Sequence, residues 1–493
     1  MSNPYEEFKT AVYDYVIIGT GVTESTIAAS LSHQGKTVCV VDPNPLYGVK
    51  SMYVRNRELE QTLSTLALKH SIEIPLTKIE FDRSIGIDLT PQLFYSNGDL
   101  LNTITESEIY KYLDFLAVDG VFMYLNNKII RVPDSKNTLF TCTDLSLIEK
   151  RQLMKFLNDI YLDKDTPIEQ TQMFKGLKEA GSLRKYLETI KLSKVCQDII
   201  VYGICMFAAN DETNAEIVVK KIMIYAKSLG KYGGSPFVYC QYGYGDVAQG
   251  FSRSSSVASG VFLCGHEVKE VKKNGELWEA YCSSPDNRFE KIEFTVKGKR
   301  LIKNRTFVKE EKGKSVDYMQ VVREKVLPFG RRFYVAIPLR GKCVQCIVSS
   351  IENVTNVALS VENDTENLLE DAMKIVCGDN WKEEALLSFK YTFDLAQWEK
   401  VKEVDGMLVT SDATIGIGSD IDMSVSEAKS VCGEELFRED EIVAEVLDEV
   451  PQETKETPKV SKEEKESSVE EKKEINGNGE KEVKDTSNEV EAK

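Results

Sequence analysis

Short apolar runs separated by glycines dominate the first fifty residues of the chain. Tyr15–Ile18 and Val38–Val41 have the length and composition of buried strands. Between them, Thr26–Leu31 predicts a helix, and Gly35 marks its end. Gly19–Gly21 follows the first run directly and predicts a tight turn. The pattern therefore predicts a strand–turn–helix–strand unit.

The turn of this unit has the layout of a dinucleotide-binding site, with one departure. Gly19 and Gly21 allow the backbone to approach a ligand closely, and Asp42 stands where such folds place an acid for a ribose hydroxyl. Glu24, however, occupies a position in the first helical turn where the fingerprint has a small residue. Its carboxylate would satisfy the helix end from within and repel a diphosphate. We expect a scaffold that has lost its cofactor, with a bound flavin as the alternative.

The hydrophobic pattern changes to helical spacing between residues 134 and 230. Ser146 and Glu149 have the spacing of a capping box at the start of the first helix. Four helices in this stretch predict a helical domain inserted into the α/β domain. They are predicted at residues 146–162, Ser182–Ile190, Leu192–Phe207 and Ala215–Leu229.

One aromatic residue of the first of these helices permits two interpretations. Leu153, Leu157 and Ile160 form an apolar stripe at helical spacing, and Phe156 lies at its edge. The simpler interpretation makes Phe156 a core residue. If it is exposed, it is a candidate anchor for a protein partner.

Glycine and tyrosine are enriched in residues 230–253, which predicts an irregular surface loop. A short helix, Ser252–Ala258, is predicted to follow it. The segment contains Asp246, Gln249 and Arg253, a composition found at protein-interaction surfaces. Packing at a domain junction explains the composition equally well, so the residues alone leave both readings open.

Later segments return to strand-like patterns before a charged tail. Val121–Val132 predicts a hairpin that turns at Asn126 and Asn127, and Gly406–Thr410 followed by Ser424–Phe437 predicts a strand and helix that close the first sheet. The tail lacks the apolar content to fold and is expected to be disordered. The expected organisation is residues 1–133 as the first part of domain I, 134–230 as helical domain II, 231–440 as the remainder of domain I, and 441–493 as the acidic tail.

Composition excludes several classes of function. The 493 residues have a net charge of −17, which argues against nucleic acid as the main partner, and no apolar run is long enough to span a membrane. Three histidines without ligand spacing predict no metal site and no histidine-based catalysis. Eleven scattered cysteines indicate reduced thiols in the cytosol, and Cys343 and Cys346 are expected in a buried strand.

Five motifs are informative when taken together: Gly19–Ser25, Asp42–Gly48, Tyr112–Phe115, Glu149–Leu157 and Tyr232–Arg253. In combination they resemble the Rab escort protein and Rab GDP-dissociation inhibitor family. The resemblance covers about Tyr13 to Phe437, and a glutamate in place of the third glycine is the family's own departure from flavoproteins. It implies a flavoprotein-like α/β domain with a small helical domain, no enzymatic activity, no catalytic residue and no cofactor.

The resemblance also implies a binding surface for GDP-bound Rab GTPases. It falls on Tyr47, Asp246, Gln249 and Arg253, a set named here the platform. Asp246 replaces the glutamate that is more usual in the family, which gives a shorter reach with the same charge.

The motif Leu153–Leu157 resembles the escort branch, in which Phe156 is expected to touch the transferase. Escort proteins present newly made Rab to the α/β heterodimer of Rab geranylgeranyltransferase and deliver the prenylated product to membranes. The partners implied are unprenylated and prenylated Rab, their isoprenoid groups, the transferase, and a membrane contacted transiently by a cytoplasmic protein. The alternatives are a Rab GDP-dissociation inhibitor that recycles prenylated Rab and an FAD-dependent oxidoreductase.

Overall fold

The structure, a computed structural model, describes residues 5–75, 85–163, 165–284, 292–307, 315–394, 401–411, 416–418 and 420–437. The acidic tail predicted at residues 441–493 lies outside the described residues. Within the described ranges, no helix combines the length and hydropathy needed to cross a membrane. No group of three or more metal-ligating side chains occurs in the same ranges.

The described residues form 21 strands and 13 α-helices. The strands are β1 (Val12–Ile18), β2 (Val38–Asp42), β3 (Tyr53–Arg55), β4 (Lys69–Ile74), β5 (Gly86–Asp88), β6 (Phe94–Tyr95), β7 (Phe115–Ala117), β8 (Gly120–Leu125), β9 (Lys128–Arg131), β10 (Phe237–Cys240), β11 (Val261–Cys264), β12 (Glu267–Asn274), β13 (Leu277–Ser283), β14 (Glu293–Asn304), β15 (Ser315–Arg323), β16 (Arg332–Leu339), β17 (Lys342–Ile351), β18 (Val354–Glu362), β19 (Ala385–Asp394), β20 (Lys402–Val404) and β21 (Met407–Thr410). The helices are α1 (Val22–His33), α2 (Leu59–Thr65), α3 (Asp99–Glu106), α4 (Lys136–Thr141), α5 (Leu147–Asp163), α6 (Gln172–Ala180), α7 (Leu183–Thr189), α8 (Lys194–Asp198), α9 (Ala215–Ser228), α10 (Tyr244–Val257), α11 (Leu368–Cys377), α12 (Trp381–Glu384) and α13 (Met423–Cys432).

The first large sheet is built around the predicted strand–turn–helix–strand unit. Its order is β11-β2-β1-β14-β13-β12, and β21 pairs with β14. Strands β11, β2, β1, β14 and β21 are parallel to one another, whereas β13 and β12 form an antiparallel extension beside β14. The Rossmann-type βαβ prediction is confirmed, and the late strand and helix do close this sheet.

Helix α1 is buried along almost its entire length because helices α10 and α13 also pack against it. Small side chains permit this close approach. Ser252 of α10 donates a hydrogen bond to Ser25, and the hydroxyls of Ser255 and Ser32 lie 2.9 Å apart. This packing fixes α10 beside the first sheet.

The second large sheet is almost entirely antiparallel, with the order β4-β19-β15-β18-β17-β16-β8-β9. The hairpin predicted at Asn126 and Asn127 is confirmed, and both residues have positive φ. Cys343 and Cys346 are buried in β17. Helix α11 covers one face of this sheet, and the helical segment packs on the other.

The helical segment contains more helices than its sequence pattern predicts. The structure contains two helices that were not predicted, α4 and α6. Helix α8 continues as a π-helix, Ile199–Ile204, in which every residue is buried. The capping box is confirmed: Ser146 N–H donates to Glu149 Oε2 at 2.8 Å, and Glu149 N–H donates to Ser146 Oγ at 3.3 Å. Buried residues of this segment and of the second sheet form one continuous apolar cluster.

Candidate functional site

The glycine turn after β1 is enclosed by the protein's own side chains. Gly19 has φ of +111°, which favours glycine, and a Cβ at this position would lie 2.8 Å from Cβ of Asn304 and 3.2 Å from the ring of Phe307. A Cβ at Gly21 would collide with the carboxylate of Glu24. The space immediately over the turn is therefore occupied by protein atoms.

Glu24 folds back over the turn instead of facing solvent. It is 1% exposed, and its Oε1 accepts a hydrogen bond from the hydroxyl of Thr410 at the end of β21. A buried carboxylate in the first turn of α1 compensates the partial positive charge of that helix end. It also places negative charge where a diphosphate would need N–H donors.

The carboxylate of Asp42 forms its hydrogen bonds within the protein, which corrects the expectation that it is available to a ribose hydroxyl. One carboxylate oxygen accepts from N–H and Oγ1 of Thr20, at 2.8 and 2.6 Å. The other accepts from N–H and Nδ2 of Asn44, at 2.8 and 3.0 Å. Burial raises the pKa of Asp42 to about 6, although these hydrogen bonds favour its ionised form.

The residues of the turn do not fit a dinucleotide. Glu24 presents the wrong charge, and Asp42 has four hydrogen bonds within the protein. The turn instead holds the loop that follows β2, because Gly48 N–H donates to the carbonyl of Thr20 at 2.9 Å. This loop contains Tyr47, the first residue of the platform.

The glycine-rich segment forms a helix, so the prediction of an irregular loop up to Arg253 was wrong. Helix α10 begins at Tyr244, eight residues before the predicted start. Gly243 precedes it with φ of +81° and offers no capping side chain. The cap comes from strand β5, where Asp88 Oδ2 accepts a hydrogen bond from the Tyr244 N–H at 2.9 Å. Gly245 then allows the first turn of α10 to rest on the backbone of Ser51.

Three platform residues share one face of α10. Asp246, Gln249 and Arg253 are spaced by three and four residues, which places them on one side of a helix. Gln249 and Arg253 are exposed, and Asp246 is half-buried. The guanidinium carbon of Arg253 lies 4.2 Å from the ring centroid of Tyr112. The structure thus forms a continuous polar face with a carboxylate near one end and a guanidinium near the other.

Asp246 lies in a partly desolvated, acidic environment. Burial, and then the charge of Asp114, raise the pKa of Asp246 to about 6. Cys240 Sγ lies 4.0 Å from Asp246 Oδ2 as a weak donor. A cationic group of a partner would neutralise this charge and find an acceptor there.

Tyr47 lies beside the first turn of α10. A Cβ built on its neighbour Gly48 would lie 3.2 Å from Cα of Gly245, so the two backbone segments are nearly in contact. The half-buried Tyr47 ring is 6.2 Å from the ring of Phe262 in β11. Burial and the neighbouring Cys264 raise the pKa of Tyr47 to about 12. The structure therefore brings all four platform residues to one region.

An apolar groove adjoins the platform, and the sequence analysis missed it. Its lining is mostly apolar and comes from α3, β7, β10 and the segments beside them. A short 3₁₀-helix, Ile109–Tyr112, connects the groove to the platform: Tyr110 lines the groove, and Tyr112 lies under Arg253. The family motif at Tyr112–Phe115 was the feature of the sequence that could have indicated this groove. The groove is lined by Leu101, Ile104, Thr105, Tyr110, Phe115, Leu116, Ala117, Tyr232 and Val238.

Phe156 does not belong to this surface. It is 6% exposed and packs with Leu153 and Ile160 in the core, while Leu157 is only partly buried. The stripe of α5 therefore includes Phe156, which agrees with the simpler interpretation of Phe156 as a core residue and leaves little of its surface for the predicted transferase contact. The exposed apolar residues of α5 are Leu147, Ile148, Tyr161 and Leu162.

Comparisons with known proteins agree with this fold. A sequence model described as GDP dissociation inhibitor matches residues 7–326. Rab GDP dissociation inhibitor beta of Rattus norvegicus is 28% identical over 272 residues, which are 54% of this chain and 59% of that protein. The chain thus spans somewhat less than two thirds of this relative.

Two solved structures share the fold at low sequence identity. A Rab GDI from Plasmodium falciparum superposes with a TM-score of 0.66 at 18% identity, covering 85% of this chain and 97% of that one. An oxidoreductase from Methanosarcina mazei superposes with a TM-score of 0.54 at 13% identity, covering 85% and 99%. The expected flavoprotein-like architecture is confirmed. Because the family model matches more than half of the chain, this protein belongs to the GDP dissociation inhibitor family.

Proposed function

We propose that this chain binds GDP-bound Rab GTPases on the platform and acts as an escort during their prenylation. The observation that most supports Rab binding is the single face formed by Asp246, Gln249 and Arg253 beside Tyr47. It offers an acceptor, an amide and a cation on a helix that is fixed at its first turn and along its buried side. A rigid surface of this kind loses little conformational entropy on binding a folded domain.

The groove beside the platform extends the surface that a Rab would contact. A folded GTPase domain on the platform would place the start of its flexible tail nearby. Apolar residues of that tail could then lie against Leu101 and Ile104 of α3. Holding the domain raises the effective concentration of the tail at the active site of a bound transferase.

Prenylated Rab needs its isoprenoid groups shielded from water, since each buried methylene is worth about 0.8 kcal/mol. The apolar side chains of the π-helix Ile199–Ile204 and of α9 are the candidate lining. Val218, Val219 and Ile222 of α9 are buried in the structure. On this proposal, α9 must move relative to its neighbours to admit a chain, and the cytoplasmic complex contacts membranes only for delivery.

A Rab GDP-dissociation inhibitor is the second candidate. A specific observation favours it: both the rat relative and the Plasmodium structure have that name. The escort proposal depends on the motif in α5, and on the exposed apolar residues of that helix. An oxidoreductase function is not proposed, because Glu24 and Asp42 do not fit the cofactor.

Reconstituted prenylation separates the two candidates. An unmodified Rab, loaded with GDP, is incubated with the transferase and an isoprenoid donor, with and without this chain. An escort is expected to raise the prenylation rate by at least about tenfold, because it supplies the effective concentration that the tail lacks. If prenylation is unchanged while prenylated Rab is extracted from membranes, the chain is a dissociation inhibitor.

The transferase contact is tested by a variant on the exposed face of α5. Ile148 is 70% exposed, so Ile148→Asp is expected to leave the melting temperature and Rab affinity unchanged and to lower prenylation severalfold by weakening transferase binding. Phe156→Ala, in contrast, should reduce the free energy of unfolding by about 3–5 kcal/mol because it opens a cavity in the core. Full prenylation with Ile148→Asp would show that this part of α5 does not contact the transferase.

A further inference from the structure

The short 3₁₀-helix Ile109–Tyr112 packs directly against the platform helix. Ile109 and Leu113 are buried, at 0% and 7% exposure. They meet α10 at Gly250, where a Cβ would lie 3.4 Å from Cδ2 of Leu113 and 3.6 Å from Cδ1 of Ile109. Both distances are ordinary van der Waals contacts, so the segment packs directly on α10 at Gly250.

This packing directs Tyr112 toward the platform. With Ile109 and Leu113 facing inward, Tyr112 remains 41% exposed. Arg253 follows Gly250 by three residues, so it projects from nearly the same side of α10. Its guanidinium carbon lies 4.2 Å from the Tyr112 ring centroid, well inside the range of a cation–π contact.

We propose that Tyr112 is a positioning residue that holds the guanidinium of Arg253 ready for the partner. The proposal rests on the proposed function of the platform. A free arginine side chain samples many rotamers and loses that freedom when it binds. An arginine already stacked on Tyr112 has less freedom to lose, so the complex forms with higher affinity.

The chemistry of the stack suits this role. A cation–π contact uses the flat face of the guanidinium and leaves the N–H donors at its edge available. An ion pair with a carboxylate of this chain would use those donors instead. The partner group that meets Arg253 is therefore expected to be an acceptor in the plane of the guanidinium, either a carboxylate or backbone carbonyls.

Binding measurements on Tyr112 variants test the proposal. Tyr112→Leu removes the ring and is expected to weaken binding of GDP-loaded Rab about two- to fivefold, the size of an exposed cation–π contact. Tyr112→Phe keeps the ring and should restore wild-type affinity. In an Arg253→Ala background, Tyr112→Leu should have no further effect, because the two residues act through one contact.

Tyr281→Leu is the matched control. Tyr281 also lies under a surface cation, with Lys272 Nζ 5.6 Å from its ring centroid, but it belongs to the antiparallel extension of the first sheet. Its loss should not change Rab affinity. Equal weakening by Tyr112→Leu with and without Arg253, or failure of Tyr112→Phe to restore affinity, would overturn the proposal.

A readout without any partner keeps this test separate from the proposed function. In the chain with isotope-labelled arginine, the ring current of Tyr112 should shift the Arg253 Nε–H resonance, which Arg253→Lys identifies by its loss. The shift should persist in Tyr112→Phe and disappear in Tyr112→Leu. If wild type binds no Rab, the proposed function fails. An Arg253 resonance that is the same in wild type and Tyr112→Leu refutes the positioning role.

Discussion

Replacement of Arg253 by glutamate is expected to weaken binding of GDP-loaded Rab by about a hundredfold or more. Arg253 is exposed on the face of α10 that also presents Gln249 and the half-buried Asp246. The change removes a guanidinium and adds a negative charge to a face that already contains a carboxylate. Loss of one partner from a desolvated charge contact costs about 2–5 kcal/mol, and repulsion adds to it. Titration calorimetry with purified Rab measures the change.

Lys374→Glu provides the matched charge reversal. Lys374 lies on α11 against the second sheet, with 48% of its side chain exposed and an ion pair to Asp371. It changes the net charge of the chain by the same amount but lies on none of the platform elements. Its effect on Rab affinity should be less than about twofold, since exposed ion pairs contribute little. Equal losses in Arg253→Glu and Lys374→Glu would mean that net charge, and not the platform, determines binding.

Asp42→Ala is expected to reduce the free energy of unfolding by about 2–6 kcal/mol. The substitution leaves the buried N–H groups of Thr20 and Asn44 without their acceptor, and each such group costs about 1–3 kcal/mol. It also frees the loop that is held to the glycine turn at Gly48, so Tyr47 loses its fixed position. Rab binding should therefore weaken together with stability. Chemical denaturation and calorimetry on one preparation measure both.

Asp14→Ala is the control for this substitution. Asp14 also accepts hydrogen bonds from the backbone and hydroxyl of one threonine, Thr37, at the other end of β1. It also accepts from Lys299 Nζ at 2.7 Å, but it lies near the surface, where water can replace the lost acceptor and an exposed ion pair contributes little. The expected cost is therefore about 1 kcal/mol. Unchanged Rab affinity in Asp42→Ala, measured where that variant is folded, would show that the glycine turn does not support the platform.

The first βαβ unit could be predicted because its signals are local. Two apolar runs, two glycines and one glutamate lie within about thirty residues, and each has a direct backbone consequence. The same argument predicted a carboxylate that satisfies the helix end from within, and the structure buries Glu24 in the first turn of α1. It missed the role of Asp42, because the hydrogen bonds that this residue makes within the protein follow from burial and not from spacing.

The start of α10 could not be predicted from its own residues. Three glycines, at positions 243, 245 and 250, disfavour a helix by composition. The helix forms because Asp88, more than 150 residues away in sequence, supplies the cap at Tyr244, and because α1 offers small side chains for close packing. Tertiary contacts thus override local propensity at the part of the chain proposed to bind Rab.

Phe156 shows a different limit of prediction from the sequence. Periodicity correctly placed an apolar stripe on α5, but it could not decide whether a residue at the edge of that stripe faces the core. The structure buries Phe156 and leaves Ile148 exposed. For a helix packed on one side only, the width of the buried face depends on the neighbouring helices, which the sequence of α5 does not contain.

Hydrogen exchange of the chain with and without GDP-loaded Rab tests the central claim most directly. We expect reduced exchange in peptides from α10, from the loop Asn44–Gly48 and from Ile109–Leu113, with little change across the face of the second sheet covered by α11. Protection confined to the second sheet, or bound Rab without protection of α10, would contradict the assignment of the docking surface to the helix beside the glycine turn.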